Sequence, residues 1–174
     1  MSEETTNTMI KCESREAVSE ALSQRDFSHA DMSGLDLSGM KLTGMNMEAA
    51  NLSGANLTGA TIAAINMEDC DLSQTNLTGA TIAAANCENV NFTSSNLTGS
   101  RWYGVNVEDA DYTDVNMTSV QAVAVDWSSA KVPPEDVPEM MQPPSWLPAL
   151  VLGLVAFVVI LILMKKRQQV TMMN

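Results

Sequence analysis

The sequence predicts an all-β fold, a parallel β-helix with four sides to each coil, followed by a C-terminal transmembrane helix. Three observations carry this reading. Residues 25–134 fall into 22 consecutive pentads with no insertion, a period of 20 residues lies over the period of five, and residues 147–164 contain no charge. A period of five fits neither the roughly 3.6-residue turn of an amphipathic helix nor the two-residue alternation of a flat strand.

At the start of the chain, MSEETTNTM is acidic and polar and offers neither the basic nor the apolar stretch of a secretion signal. Synthesis and folding in a reducing cytosol is therefore expected. Cys12, Cys70 and Cys87 are odd in number with no CxxC pair, which argues against a disulfide framework. Residues 12–24, CESREAVSEALSQ, read as a short helix that caps the N-terminal coil and covers its strand edges.

The pentads begin RDFSH, ADMSG, LDLSG, MKLTG. Their third place is nearly always large and apolar, the first is usually small or apolar, and the second is most often Asn or Asp. ANLTGATIAAINMEDCDLSQ (55–74), TNLTGATIAAANCENVNFTS (75–94) and SNLTGSRWYGVNVEDADYTD (95–114) repeat one another, so four pentads make one turn. If each pentad is one side of a square coil, first and third places point inward and residue n stacks on n+20 at about 4.8 Å. The third places then form four columns: Leu37, Leu57, Leu77, Leu97, Met117; Leu42, Ile62, Ile82, Trp102, Ala122; Phe27, Met47, Met67, Cys87, Val107, Trp127; and Met32, Leu52, Leu72, Phe92, Tyr112, Val132. None contains a charge.

ADMSG, ANLSG and ANLTG reproduce an A(D/N)LxX pattern, and in this the sequence resembles the pentapeptide-repeat family over 110 of its 174 residues. The resemblance implies a right-handed quadrilateral β-helix, here of about 5.5 coils and about 25 Å long. Bulky Trp102, Tyr112 and Trp127, then Pro133 and Pro134, end the pattern, because proline cannot donate to a further bridge.

Residues 135–146, EDVPEMMQPPSW, read as a semi-rigid spacer. LPALVLGLVAFVVILILM, 147–164, lies between Trp146 and Lys165, Lys166 and Arg167. As a helix it would span about 27 Å, close to the roughly 30 Å of a bilayer core. The positive-inside rule would put the coil outside, but passing the short tail 165–174 across a membrane is mechanically simpler than exporting the coil without a signal. The expectation is a single-pass tail anchor with the repeat domain cytoplasmic. The chain thus divides into 1–24, 25–134, 135–146, 147–164 and 165–174.

A formal charge of −12 argues against nucleic acid as a partner. No catalytic, cofactor or metal constellation is present: His29 falls at an outward fifth place, Cys70 and Cys87 at inward places, and Cys12 has nothing near it to activate a thiol. Sequons such as Asn56 and Asn76 follow from the repeat itself, and Gly54 to Gly59 lacks the Lys of a phosphate loop.

The outward columns carry the candidate partner-binding residues. Glu48, Glu68, Glu88 and Glu108 stack on one side, joined near the next corner by Asp69, Asp71, Asp109, Asp111 and Asp114. The neighbouring sides read as almost free of charge. One holds Asn56, Asn76, Asn96 and Asn116; the other holds Ala63, Ala64, Ala83 and Ala84, with Arg101 and Tyr103 as anchors. These features predict a non-enzymatic, membrane-tethered protein interaction module, compatible with homo-oligomers. Two alternatives stand beside it: an exported effector whose tail inserts into a target membrane and, as the resemblance implies, a topoisomerase-protecting inhibitor that mimics duplex DNA.

Overall fold

Glycine, or a residue forced to behave like it, closes almost every pentad, and this sets the shape of the coil. The computed structural model describes residues 14–136. In it the fifth places have positive φ whether they are Gly34, Gly54 and Gly79 or non-glycine residues such as Ala64 (51°), Ala84 (49°) and Asp109 (57°). Left-handed backbone at a residue with a Cβ costs roughly 1–2 kcal/mol. A Cβ built on Gly54 or Gly79 would meet nothing within 4 Å, so that cost is conformational rather than steric. Ala64→Gly and Ala84→Gly are accordingly expected to stabilise the coil by about 1 kcal/mol each, read as a rise in melting temperature; a fall would contradict the corner geometry.

Between corners, each side is a short bridge. One side forms a parallel sheet of β1 (Lys41–Thr43), β2 (Thr61–Ala63), β3 (Thr81–Ala83), β4 (Arg101–Tyr103) and β5 (Gln121–Val123), stacked in chain order. Its register steps by 20 residues, Leu42 on Ile62 and Ile82 on Trp102. The other three sides pair through single bridges at the same step, such as Asn46 with Asn66 and Asn56 with Asn76. The sheet runs through four full turns from Lys41 to Gln121, with partial coils at either end. The expected period is thus the observed one.

Inside, the third-place residues from Phe27 to Trp127 are all buried, with Leu37, Leu77, Ile82 and Trp102 at 0% exposure. Most first places are buried too, Leu35 and Val115 only partly, and three of the buried ones are polar: Thr75, Ser95 and Ser100. Thr75 Oγ1 donates to the Leu72 carbonyl at 2.7 Å, and Ser100 Oγ accepts Trp102 Nε1–H at 2.8 Å. At the C-terminal end Phe92 stacks on Tyr112 at 4.9 Å, while Trp102 and Tyr112 each lie 5.4 Å from Trp127.

α1 (Arg15–Ala21) is shorter than the window 12–24. Ser14 Oγ accepts the Ala17 N–H at 3.2 Å as its N-cap, Glu16 suits the positive end of the helix dipole, and Val18 joins the core.

The apolar columns require one correction. Val132 does not continue the column of Tyr112. A 3₁₀ turn at Trp127–Ser129 takes up one extra residue, and Val132 pairs with Asp111, half-buried at a second place. Earlier coils place Glu108 O on Asn89 N–H; here Asp109 N–H meets Ser129 O, one residue further on. The pentads are therefore not uninterrupted to residue 134. The spacer beyond Asp136, the expected anchor 147–164, the tail and Cys12 lie outside the described residues. Among the described residues no helix is long and apolar enough to cross a membrane.

Candidate interaction surface

The outward places are second, fourth and fifth, and the second is occupied by Asn or Asp for a reason the structure makes plain. Its side-chain oxygen accepts the fourth-place N–H, as Asn56 Oδ1 does from Thr58 at 3.1 Å, and the Thr58 hydroxyl donates to the same atom at 2.6 Å. Its amide also reaches the coil before: Asn66 Nδ2 donates to Asn46 at 3.2 Å, Asn86 to Asn66 at 3.0 Å, and Asn106 to Asn86 at 2.9 Å. In these ladders the donor is always in the later coil. The first rung therefore has only to accept, and all three first rungs are carboxylates: Asp26, Asp31 and Asp36 accept from Asn46, Asn51 and Asn56. Asp71 and Asp111 interrupt the ladder on their side, since a carboxylate cannot donate to Asn51 or Asn91.

The same bonds hold several carboxyls below the usual range. Asp26 is lowered chiefly by the Ser28 side chain, Asp36 by that of Ser38 and Asp111 by that of Thr113, whose Oγ1 donates at 2.6 Å. The thiols behave oppositely. Burial pushes Cys70 up to about 12, and Cys87, fully enclosed, is raised by the same cause. Cys70 Sγ donates to the Met47 carbonyl at 2.7 Å. Neither is a nucleophile at neutral pH. His29 is exposed at its fifth place with φ 59°, and among the described residues no group of His, Cys, Asp or Glu could hold a metal ion.

Following the chain around one coil gives the sides in the order sheet, glutamate, aspartate, asparagine. Glu48, Glu68, Glu88 and Glu108 share one side, as their spacing required; Glu68 Oε2 also accepts from Asn86 Nδ2 at 3.3 Å. Asp71, Asp111 and Asp114 belong to the next side. The side of Asn56 and Asn76 is consequently opposite the glutamates rather than beside them, which corrects the expected arrangement. The two neutral sides adjoin each other instead.

On the sheet side Ala63, Ala83, Tyr103 and Val123 stack in register and are half-buried, while Arg101 stands exposed beside Thr81 and Gln121. Ala64 and Ala84 turn the corner, and the Ala84 N–H donates to the Tyr103 carbonyl at 2.9 Å. No carboxylate falls on this side, and only Asp36 falls on the asparagine side.

A family model for pentapeptide repeats matches residues 26–62 and 63–99, with eight copies. Residues 26–99 of the coil are thus similar to pentapeptide repeats. Solved structures similar to this chain include HetL, a pentapeptide repeat protein involved in heterocyst differentiation regulation in the cyanobacterium Nostoc, at 17% identity and TM-score 0.46, covering 65% of this chain and 55% of that one. The chain thus spans little more than half the length of HetL. A pentapeptide repeat protein from the Arabidopsis thaliana thylakoid lumen aligns at 35% identity and TM-score 0.43 over 52% of this chain and 66% of its own. QnrB1, a plasmid-mediated fluoroquinolone resistance protein, aligns at 14% identity and TM-score 0.38 over 75% of this chain and 68% of its own. Comparison with curated proteins gives no match.

Proposed function

We propose that the pentapeptide-repeat coil is a non-enzymatic protein interaction module, tethered to a membrane by residues 147–164 with the coil on the cytoplasmic side. The observation that carries the docking role is the division of the coil surface into two adjoining acidic sides and two adjoining neutral ones. Segregation of this kind gives a partner one flat face to pack on and a field to orient against. Ala63, Ala64, Ala83 and Ala84 let a partner backbone approach closely, and Arg101 and Tyr103 are the residue types that anchor interfaces. The tether rests on the uncharged run and its Lys165 to Arg167 flank.

A pull-down from detergent-solubilised membranes tests the surface. Ala83→Arg with Ala84→Arg should abolish recovery of partners at an unchanged melting temperature, because Ala84 already holds its left-handed backbone with a Cβ. Glu68→Gln, Glu88→Gln and Glu108→Gln together should have the smaller effect on binding and weaken its salt dependence. The reverse ranking would make the acidic sides the working surface. That outcome would favour the second reading, a duplex-mimicking topoisomerase inhibitor, for which carboxylates on two adjoining sides are the supporting observation. Deleting 147–174 should release the coil from membranes; persistence in the membrane fraction would refute the tether.

A further inference from the structure

Up to residue 121, the sheet side is the one side whose second places are not Asn or Asp. They are Lys41, Thr61, Thr81, Arg101 and Gln121, stacked in register, and every one of them carries a hydrogen-bond donor. The side that follows around the coil presents the opposite chemistry at its fourth places: Glu48, Glu68, Glu88 and Glu108 are all acceptors. The two columns share the 20-residue step. They adjoin at a corner of small residues, Gly44, Ala64, Ala84, Gly104 and Ala124, all with positive φ.

Resting on the reading of the sheet side as a docking face, we propose that its occupant is the glutamate side of a second copy of this chain, and that four copies close into a ring about an axis parallel to the coils. Four sides make one coil, so adjoining sides face a right angle apart. A contact between two such sides turns each copy by a right angle from the last, and the fourth copy returns to the first. Where parallel coils face each other their chains run in opposite directions, because both wind in the same sense. Second places therefore meet fourth places. A closed ring also has no rise along its axis, so residues of the same coil face each other. Lys41 meets the neighbouring copy's Glu48, Thr61 its Glu68, Thr81 its Glu88 and Arg101 its Glu108, a donor opposite an acceptor at each level. The remaining places set Ala63 against Asn66 and Ala83 against Asn86, where the short side chains let the two sides approach. A carboxylate accepts at two oxygens, so the bond that Glu68 receives from Asn86 Nδ2 within its own chain leaves it able to accept another. The Gly and Ala corner lies on the ring axis, where the four copies come nearest. Arg25 brings charge to the N-terminal end of this corner, its Nη1 standing 2.9 Å from where a Cβ on Gly44 would be. One side is a narrow contact and a lone pair of copies should hold weakly. Closure adds a fourth contact without bringing in another molecule, so complete rings should outnumber dimers and trimers.

The mass of the full chain in detergent micelles, read by sedimentation, tests the ring; four chains per particle are expected. Carbodiimide, which joins an amine to a carboxylate in contact, should couple Lys41 of an isotopically labelled chain to Glu48 of an unlabelled one. Lys41 and Glu48 are both exposed, so exchanging them leaves the core alone. Lys41→Glu and Glu48→Lys should each raise the concentration needed for assembly by about tenfold or more. The chain carrying both should recover it, since the pair is then reversed across the same contact. Arg25→Ala should strengthen assembly by removing a repulsion at the axis. A monomer at every concentration, a dimer, a series that continues beyond four, or a doubly exchanged chain that stays apart would each overturn the ring. So would association that none of the variants changes, because it would arise elsewhere in the chain. If Ala83→Arg with Ala84→Arg abolishes recovery of partners from membranes while the purified parent chain is a monomer, the docking face stands, its occupant is a different molecule and the ring is refuted.

Discussion

Leu77→Asp is expected to abolish cooperative melting of the coil. Leu77 is 0% exposed and lies in its column between Leu57 and Leu97, so the new carboxylate would be enclosed by apolar side chains of its own coil and of both neighbours. Enclosing an unpaired charge costs several kcal/mol, a large part of the roughly 5–15 kcal/mol that holds a typical domain together. A solenoid has no distant contacts to compensate, because each coil touches only the next. Thr78→Asp, one residue along, is the informative contrast, though it should not be silent. Thr78 is half-buried; its Oγ1 donates to Asn76 at 2.6 Å and accepts from Asn96 Nδ2 at 3.2 Å, so its loss should cost about 1 kcal/mol. Circular dichroism melts of the two variants decide the matter: equal damage at 77 and 78 would mean that the inward and outward places are misassigned.

Trp102→Ala should be the next most damaging change, at about 3–5 kcal/mol. Its ring is fully buried, 5.7 Å from Phe92, 6.4 Å from Tyr112 and 5.4 Å from Trp127. Removing it would leave a cavity in the thin core and strip the Ser100 hydroxyl of its donor. The damage should be directional. Trp127 seats the 3₁₀ turn that shifts the register, so the C-terminal coil should loosen first while the coils before Ile62 stay protected from hydrogen exchange. Uniform loss of protection along the chain would show that the coil melts as one unit and that its aromatic end has no separate role. Trp102→Phe should restore most of the stability, since it keeps a ring in the stack.

Much of this architecture follows from the order of residues alone. A five-residue period with an apolar third place can be satisfied by a four-sided coil and by neither an amphipathic helix nor an alternating strand, and the 20-residue repeat then determines which side chains stack. Leu77 inside, Thr78 outside and Glu68 above Glu48 are consequences of counting. What counting could not reach depends on direction and on interruption. The spacing allows an Asn ladder, but only the placed amides show that donors always lie in the later coil, which explains why Asp26, Asp31 and Asp36 begin it. A 3₁₀ turn at Trp127–Ser129 leaves no mark in the pentad pattern, because Trp127 is an acceptable third-place residue in either register. The Trp127 ring lies 5.4 Å from those of Trp102 and Tyr112, and after the turn it begins Val132 pairs with Asp111. The neutral face belongs to both levels: its residues are legible in the sequence, whereas the adjacency of the sheet and asparagine sides, opposite rather than beside the glutamates, comes from the path of the chain around the coil.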